Sequence, residues 1–133
     1  MKKQSFKVKL AAALCGVLLL ATCAFAAQEG LTKRVRFARG RTTATLKNSV
    51  VRGTADRYTL GARAGQKMSV SITTVERNAV FTINTPDGGT LEGAGEGQDA
   101  TNWSGELPAS GDYVIEVGGT RGNATYTLKV SIR

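Results

Sequence analysis

The side chains in this sequence best suited to chemistry are arginines. Arg34, Arg36, Arg39 and Arg41 follow closely behind Lys33, and Arg121 stands alone in a glycine-rich stretch near the C-terminus. A guanidinium is a planar fork that grips a carboxylate or phosphate through two parallel hydrogen bonds, so a stripe of them suits an anionic partner. Acids crowd together once: Asp87, Glu92, Glu96 and Asp99 share the segment 84–102 with five glycines. Their oxygens could gather calcium, but the spacing is not that of an EF-hand loop. Glycoside hydrolysis needs two carboxyls held rigidly at a set separation, which a glycine-rich loop supplies poorly. A solvated, mobile loop is the expectation there.

Other chemistries are absent by composition. The chain has no histidine, and its two cysteines, Cys15 and Cys23, both fall within the first 26 residues. Ser-His or Cys-His catalysis and the usual zinc ligand sets are therefore ruled out beyond that point. No catalytic residue, metal or cofactor is expected. The single tryptophan, Trp103, precedes an apolar alternation. It either caps a core, the favoured reading, or stands exposed for a ligand.

The first 26 residues read as a secretory leader. Lys2, Lys3, Lys7 and Lys9 precede an apolar run from Leu10 to Leu20, and Ala24-Phe25-Ala26 is a small-x-small cleavage site. That run falls short of the roughly 20 residues that cross a bilayer as a helix, so no transmembrane segment is expected. A rival processing signal is Leu20-Ala21-Thr22-Cys23, which resembles a lipoprotein box that would anchor the chain through Cys23. Cleavage after Ala26 leaves residues 27–133 as one domain without a disulfide, in the periplasm or outside the cell. Charge is unevenly spread along it. Ten Lys/Arg face two acids from Ala27 to Lys67, whereas four face eight from Met68 to Arg133.

The elements that must position these side chains show an apolar period of two. The clearest strands are Tyr58 to Ala62, Met68 to Ile72, Tyr113 to Val117 and Tyr126 to Ile132, with weaker ones at Arg34 to Ala38, Thr43 to Val51, Ala79 to Asn84 and Trp103 to Leu107. Alternation places Tyr58, Tyr113 and Tyr126 inward with Leu60, Ile115 and Leu128, and Arg34 and Arg36 outward beside inward Val35 and Phe37. Turn clusters such as Pro86-Asp87-Gly88-Gly89 and Pro108-Ala109-Ser110-Gly111 punctuate the runs. The fold class is all-β: an antiparallel β-sandwich or jelly roll of about seven to eight strands.

The order of these motifs resembles a known family. Ala64-Gly65-Gln66-x-Met68-x-Val70, Asn78-Ala79-Val80-Phe81-x-Ile83, Pro86-Asp87-Gly88, Trp103-Ser104-Gly105-x-Leu107-Pro108-x-Ser110-Gly111-Asp112-Tyr113 and Ala124-x-Tyr126-x-Leu128 are similar to the bacterial pre-peptidase C-terminal domain, from about Thr54 to the end. The resemblance implies a small jelly-roll sandwich with no catalytic residues. Free-standing exported relatives of that sandwich include inhibitors of goose-type lysozyme, in which an Arg-bearing loop before the last strand reaches the enzyme's cleft. The matching loop here, Gly118 to Asn123, is short and carries Arg121.

The expectation is thus a non-catalytic binding module. Its partner is a protein, lysozyme or a peptidase, or else an anionic envelope polymer. Arg34, Arg36, Arg39, Arg41, Arg121 and Trp103 are the expected contact residues. Nucleic acid is not expected, because no aromatics are interleaved with the arginines to stack bases.

Overall fold

Alternating apolar residues form strands because successive side chains leave a strand on opposite faces, and only one face of each strand here can be kept from water. The computed structural model describes residues 30–133, and the leader, Cys23 and the cleavage site lie outside them. Eight strands occur in chain order: β1 (Thr32–Arg34), β2 (Thr43–Val50), β3 (Ala55–Ala62), β4 (Lys67–Thr74), β5 (Ala79–Asn84), β6 (Asn102–Glu106), β7 (Gly111–Gly119) and β8 (Ala124–Ile132). They make two four-stranded sheets, ordered β1-β3-β7-β5 and β2-β8-β4-β6. The all-β sandwich is therefore present.

Two departures concern the first strand. The expected strand from Arg34 to Ala38 ends at Arg34, because the chain must then cross to the other sheet. Gly40, at φ 75°, and a turn closed by Arg41 N–H to the Ala38 carbonyl (2.9 Å) make that crossing. The second departure is direction. β1 pairs with β3 in parallel, Lys33 opposite Tyr58, whereas every other strand pair is antiparallel. A parallel pair needs a crossover, and β2, lying in the opposite sheet, is that crossover.

The core fills with the inward residues of both sheets. Leu60, Met68, Phe81, Ile83, Ile115, Leu128 and Val130 are all buried. Burying each such side chain stabilises the fold by roughly 1.5–3 kcal/mol. The three tyrosines are buried as the alternation requires, each with its hydroxyl satisfied. Tyr113 donates to the Ala109 carbonyl (2.7 Å) and accepts from the Ala109 amide (3.2 Å), which pins the β6–β7 turn. Tyr58 and Tyr126 meet edge to face across the core, ring centroids 6.4 Å apart.

The segment after β5 does not stay in solvent. Leu91, Ala94 and Ala100 are buried, and the amides of Ile83 and Phe81 donate to the carbonyls of Ala94 and Ala100, both at 2.9 Å. The chain thereby covers the open edge of β5 before it enters β6, which corrects the expectation of a solvated, mobile loop. Covering an edge in this way satisfies backbone groups that would otherwise attract another strand.

Candidate functional site

At one end of the sandwich three loops converge: residues 51–54, 75–78 and 120–123. Each turns tightly for a local reason. Gly53 and Gly122 take positive φ without a side-chain penalty, and the Thr54 amide and hydroxyl both donate to the Val51 carbonyl. Arg77 adopts φ 52°, a region that costs a non-glycine residue of order 1–3 kcal/mol.

One buried side chain joins two of these loops. Asn78 is 3% exposed, and its amide nitrogen donates to the carbonyls of Arg121 (3.3 Å) and Asn123 (3.0 Å). The Asn78 carbonyl in turn accepts from the Thr120 amide (2.8 Å), and the Asn123 side chain accepts from the Arg52 amide (2.7 Å). The loops therefore hold one another. Arg121 is presented on this frame, its guanidinium donating to the Glu76 carbonyl at 3.2 Å and to no other group among the described residues. Beside it Val75 is fully exposed and Val51 is 38% exposed, while Arg52 and Arg77 add positive charge against the single acid Glu76.

The sequence-expected arginines do not form one surface. Arg34 sits near the opposite end, where it grips Asp112 through Nη2–Oδ1 at 2.9 Å and Nη1–Oδ2 at 3.2 Å. That bond raises the Arg34 pKa and holds the Asp112 carboxyl below the usual carboxylate range. Arg34 is therefore accounted for by the fold. Arg36, Arg39 and Arg41 are exposed on the crossing between β1 and β2. β7 runs from Asp112 to the Arg121 loop, and at roughly 3.3 Å per residue its length separates Arg34 from Arg121 by roughly 25 Å.

Trp103 lies on edge strand β6, partly buried against the core. Its indole N–H donates to the Glu92 carbonyl (2.9 Å), and its ring lies over Gly105, where a Cβ would come within 2.9 Å. The tryptophan thus caps the core and tethers the acidic segment. Of that segment's acids, Asp87 accepts from the Thr85 hydroxyl and the Gly89 amide, which lower its pKa. Among the described residues no three acids gather closely enough to hold a metal ion.

Sequence reasoning missed Val75, Arg77 and Asn78. Asn78 lay within a recognised motif, but only the loop pairing shows what its amide does. Val75 breaks the polar run that ends β4 and was the one available signal.

Neither the scan against protein-family models nor the search of curated proteins finds a match. Solved structures do match. The pre-peptidase C-terminal domain of a collagenase from Bacillus anthracis shares the fold at TM-score 0.56 and 15% identity, over 81% of this chain and 100% of that one. Salmonella Typhimurium PliG, a periplasmic inhibitor of g-type lysozyme, is 27% identical at TM-score 0.62, over 78% of this chain and 99% of that one. PliG of Aeromonas hydrophila, another periplasmic inhibitor of g-type lysozyme, is 36% identical over 80% of this chain and 100% of that one, at TM-score 0.65. With that identity extending over the whole of the Aeromonas protein, the chain belongs to the PliG family.

Proposed function

We propose that this protein is an exported, non-catalytic inhibitor of goose-type lysozyme that enters the enzyme's cleft with the loop end carrying Arg121. Family membership supports the reading, and the observation that carries it is the Arg121 loop, held by the buried Asn78 amide and flanked by exposed Val75. A lysozyme cleft is lined by carboxyls, because glycoside hydrolysis uses an acid and a second carboxylate or base. Arg121, Arg52 and Arg77 offer that cleft complementary charge, and Val75 offers an apolar side chain that gains by leaving water. A few desolvated contacts usually dominate such an interface, so Arg121 should carry much of it. Export to the periplasm through the leader fits the compartment of the named relatives.

The test is a muralytic assay with a goose-type lysozyme and the purified chain. Wild type should inhibit at one-to-one stoichiometry, and Arg121→Glu should abolish inhibition by opposing the cleft's charge. Arg39→Ala and Arg41→Ala, at the other end, should leave inhibition unchanged. Full inhibition by Arg121→Glu would refute the assignment of this loop.

A further inference from the structure

The outward face of the sheet β2-β8-β4-β6 is built almost wholly of hydroxyls and amines. Register places Thr43, Ser131, Ser69 and Ser104 in one row across the four strands. The next row is Thr45, Lys129, Ser71 and Asn102, and the one beyond it begins Lys47, Thr127, Thr73. Neighbouring groups lie about 4.8 Å apart across the strands and about 6.8 Å along them. The outer-row hydroxyls already pair with one another, Thr43 with Ser131 at 2.8 Å and Ser69 with Ser104 at 3.1 Å. Each hydroxyl has one proton and two lone pairs, so every pair keeps a donor and acceptors for a further partner.

Charge on this face is mainly positive, its one acid, Glu106, lying opposite Lys67 at the end of β6. Lys47 and Lys129 are diagonal neighbours, a separation of about 7–8 Å, and like charges so placed repel. Neither makes an ion pair among the described residues, whereas on the opposite sheet Arg34 and Arg57 are matched by Asp112 and Glu116. Lys129, Ser71 and Asn102 border a shallow depression of about 380 Å³ that also reaches Thr43 and Ser131, and Lys47 stands one row beyond it. Packing explains none of these choices, since the inward residues of the same strands form the core.

We propose that this face binds an acidic polysaccharide, its carboxylates on Lys47 and Lys129 and its hydroxyls on the serine and threonine rows. The repeating rows of hydroxyls match an extended, hydroxyl-bearing chain. Adjacent unpaired ammonium groups without an intervening acid match carboxylates on that chain. The site is separate from the Arg121 loop and does not depend on lysozyme inhibition.

The experiment titrates the full chain with oligogalacturonate, using dextran oligomers and polyphosphate as comparison probes, and follows amide shifts by NMR. Oligogalacturonate should shift β2, β8 and β4 and weaken with added salt, while dextran should bind far less. Lys47→Gln with Lys129→Gln should weaken binding by about tenfold, the loss expected for removing a charged hydrogen bond. Ser71→Ala with Thr127→Val should weaken it several-fold at unchanged charge. Lysozyme inhibition should survive both double variants, and Arg121→Glu should keep glycan binding. No oligogalacturonate binding by wild type, undiminished binding by the lysine variant, or binding unaffected by Ser71→Ala with Thr127→Val would overturn the proposal. So would polyphosphate binding as tightly as oligogalacturonate, which would reduce the face to an unspecific cation patch.

Discussion

A single buried amide, that of Asn78, decides how Arg121 is presented. Its two hydrogen bonds hold the carbonyls of Arg121 and Asn123, to which no other side chain donates among the described residues. Asn78→Ala would leave those oxygens short of a donor, a loss of about 1–3 kcal/mol for a buried polar group. We expect that destabilisation in a urea melt, together with weakened lysozyme inhibition despite an intact Arg121. A variant that melts and inhibits like wild type would show that the loop needs no such support. Arg34 and Asp112 make the opposite case of residues tied together at the surface. The Arg34 guanidinium lowers the Asp112 pKa, so the pair stabilises the fold above the ordinary aspartate range, and that contribution fades as pH falls through the lowered value. Both groups are exposed, so solvent screens the gain and it is small. Asp112→Asn should flatten the dependence of the urea midpoint on pH below the ordinary aspartate value of about 4; an unchanged slope would mean the pair adds nothing.

β7 is the central element, since it pairs with both β3 and β5 and leads into the Arg121 loop. Its inward residues, Tyr113, Ile115 and Val117, are fully buried. Ile115→Ala should therefore cost about 2–5 kcal/mol through the cavity it opens. From alternation alone Glu116, facing outward, would be dispensable. The structure shows more: Glu116 accepts from Arg57 Nε and from Asn84 Nδ2, both at 3.2 Å, linking β7 to its two neighbours. Glu116→Ala should then cost about 0.2–1 kcal/mol, small but measurable. Equal losses for the two variants in urea melts would put the register of β7 in error. Glycine matters to the same strand at its far end, where a Cβ on Gly119 would lie 2.5 Å from the Gly122 carbonyl oxygen. The turn bearing Arg121 closes that tightly.

Across the whole molecule, one polar network runs through the apolar core between the two sheets. Asp56, 2% exposed, accepts from the Leu31 amide (2.9 Å), Asn48 (2.8 Å) and the Tyr126 hydroxyl (2.7 Å). Because Tyr126 spends its proton on Asp56, Tyr58 is the donor in the 2.5 Å bond between the two phenols. The network ties β3 to β2 and β8 and anchors the chain ahead of β1. Burial, then the bonds to Tyr58 and Asp56, push the Tyr126 pKa far up, and burial raises that of Tyr58. A raised phenol pKa leaves stability intact below the ordinary tyrosine value of about 10, and stability is lost as pH rises beyond it. In an alkaline titration, ionisation of these two tyrosines should coincide with loss of the β circular-dichroism signal. Their ionisation at ordinary pH in a chain that stays folded would contradict the network.

What the sequence determined by itself is whatever depends on near neighbours along the chain. Period-two alternation marked β2 to β8 and the inward tyrosines, because the face a side chain takes is set within a few residues. Ordered turn and strand motifs together carried the family resemblance. The rest needed the tertiary structure. The acidic segment hides Leu91 and Ala94 without any period, so nothing local distinguished a packed edge cover from a solvated loop. Arg34 looked free until β1 lay beside β3 and brought Asp112, 78 residues away, against it. Whether Arg121 joins the other arginines or faces away from them depends on strand order and pairing, and these are decided by contacts between distant residues. Local spacing therefore identified the cationic side chains, and only the closed sandwich decided which are paired within the fold and which stand free at its surface.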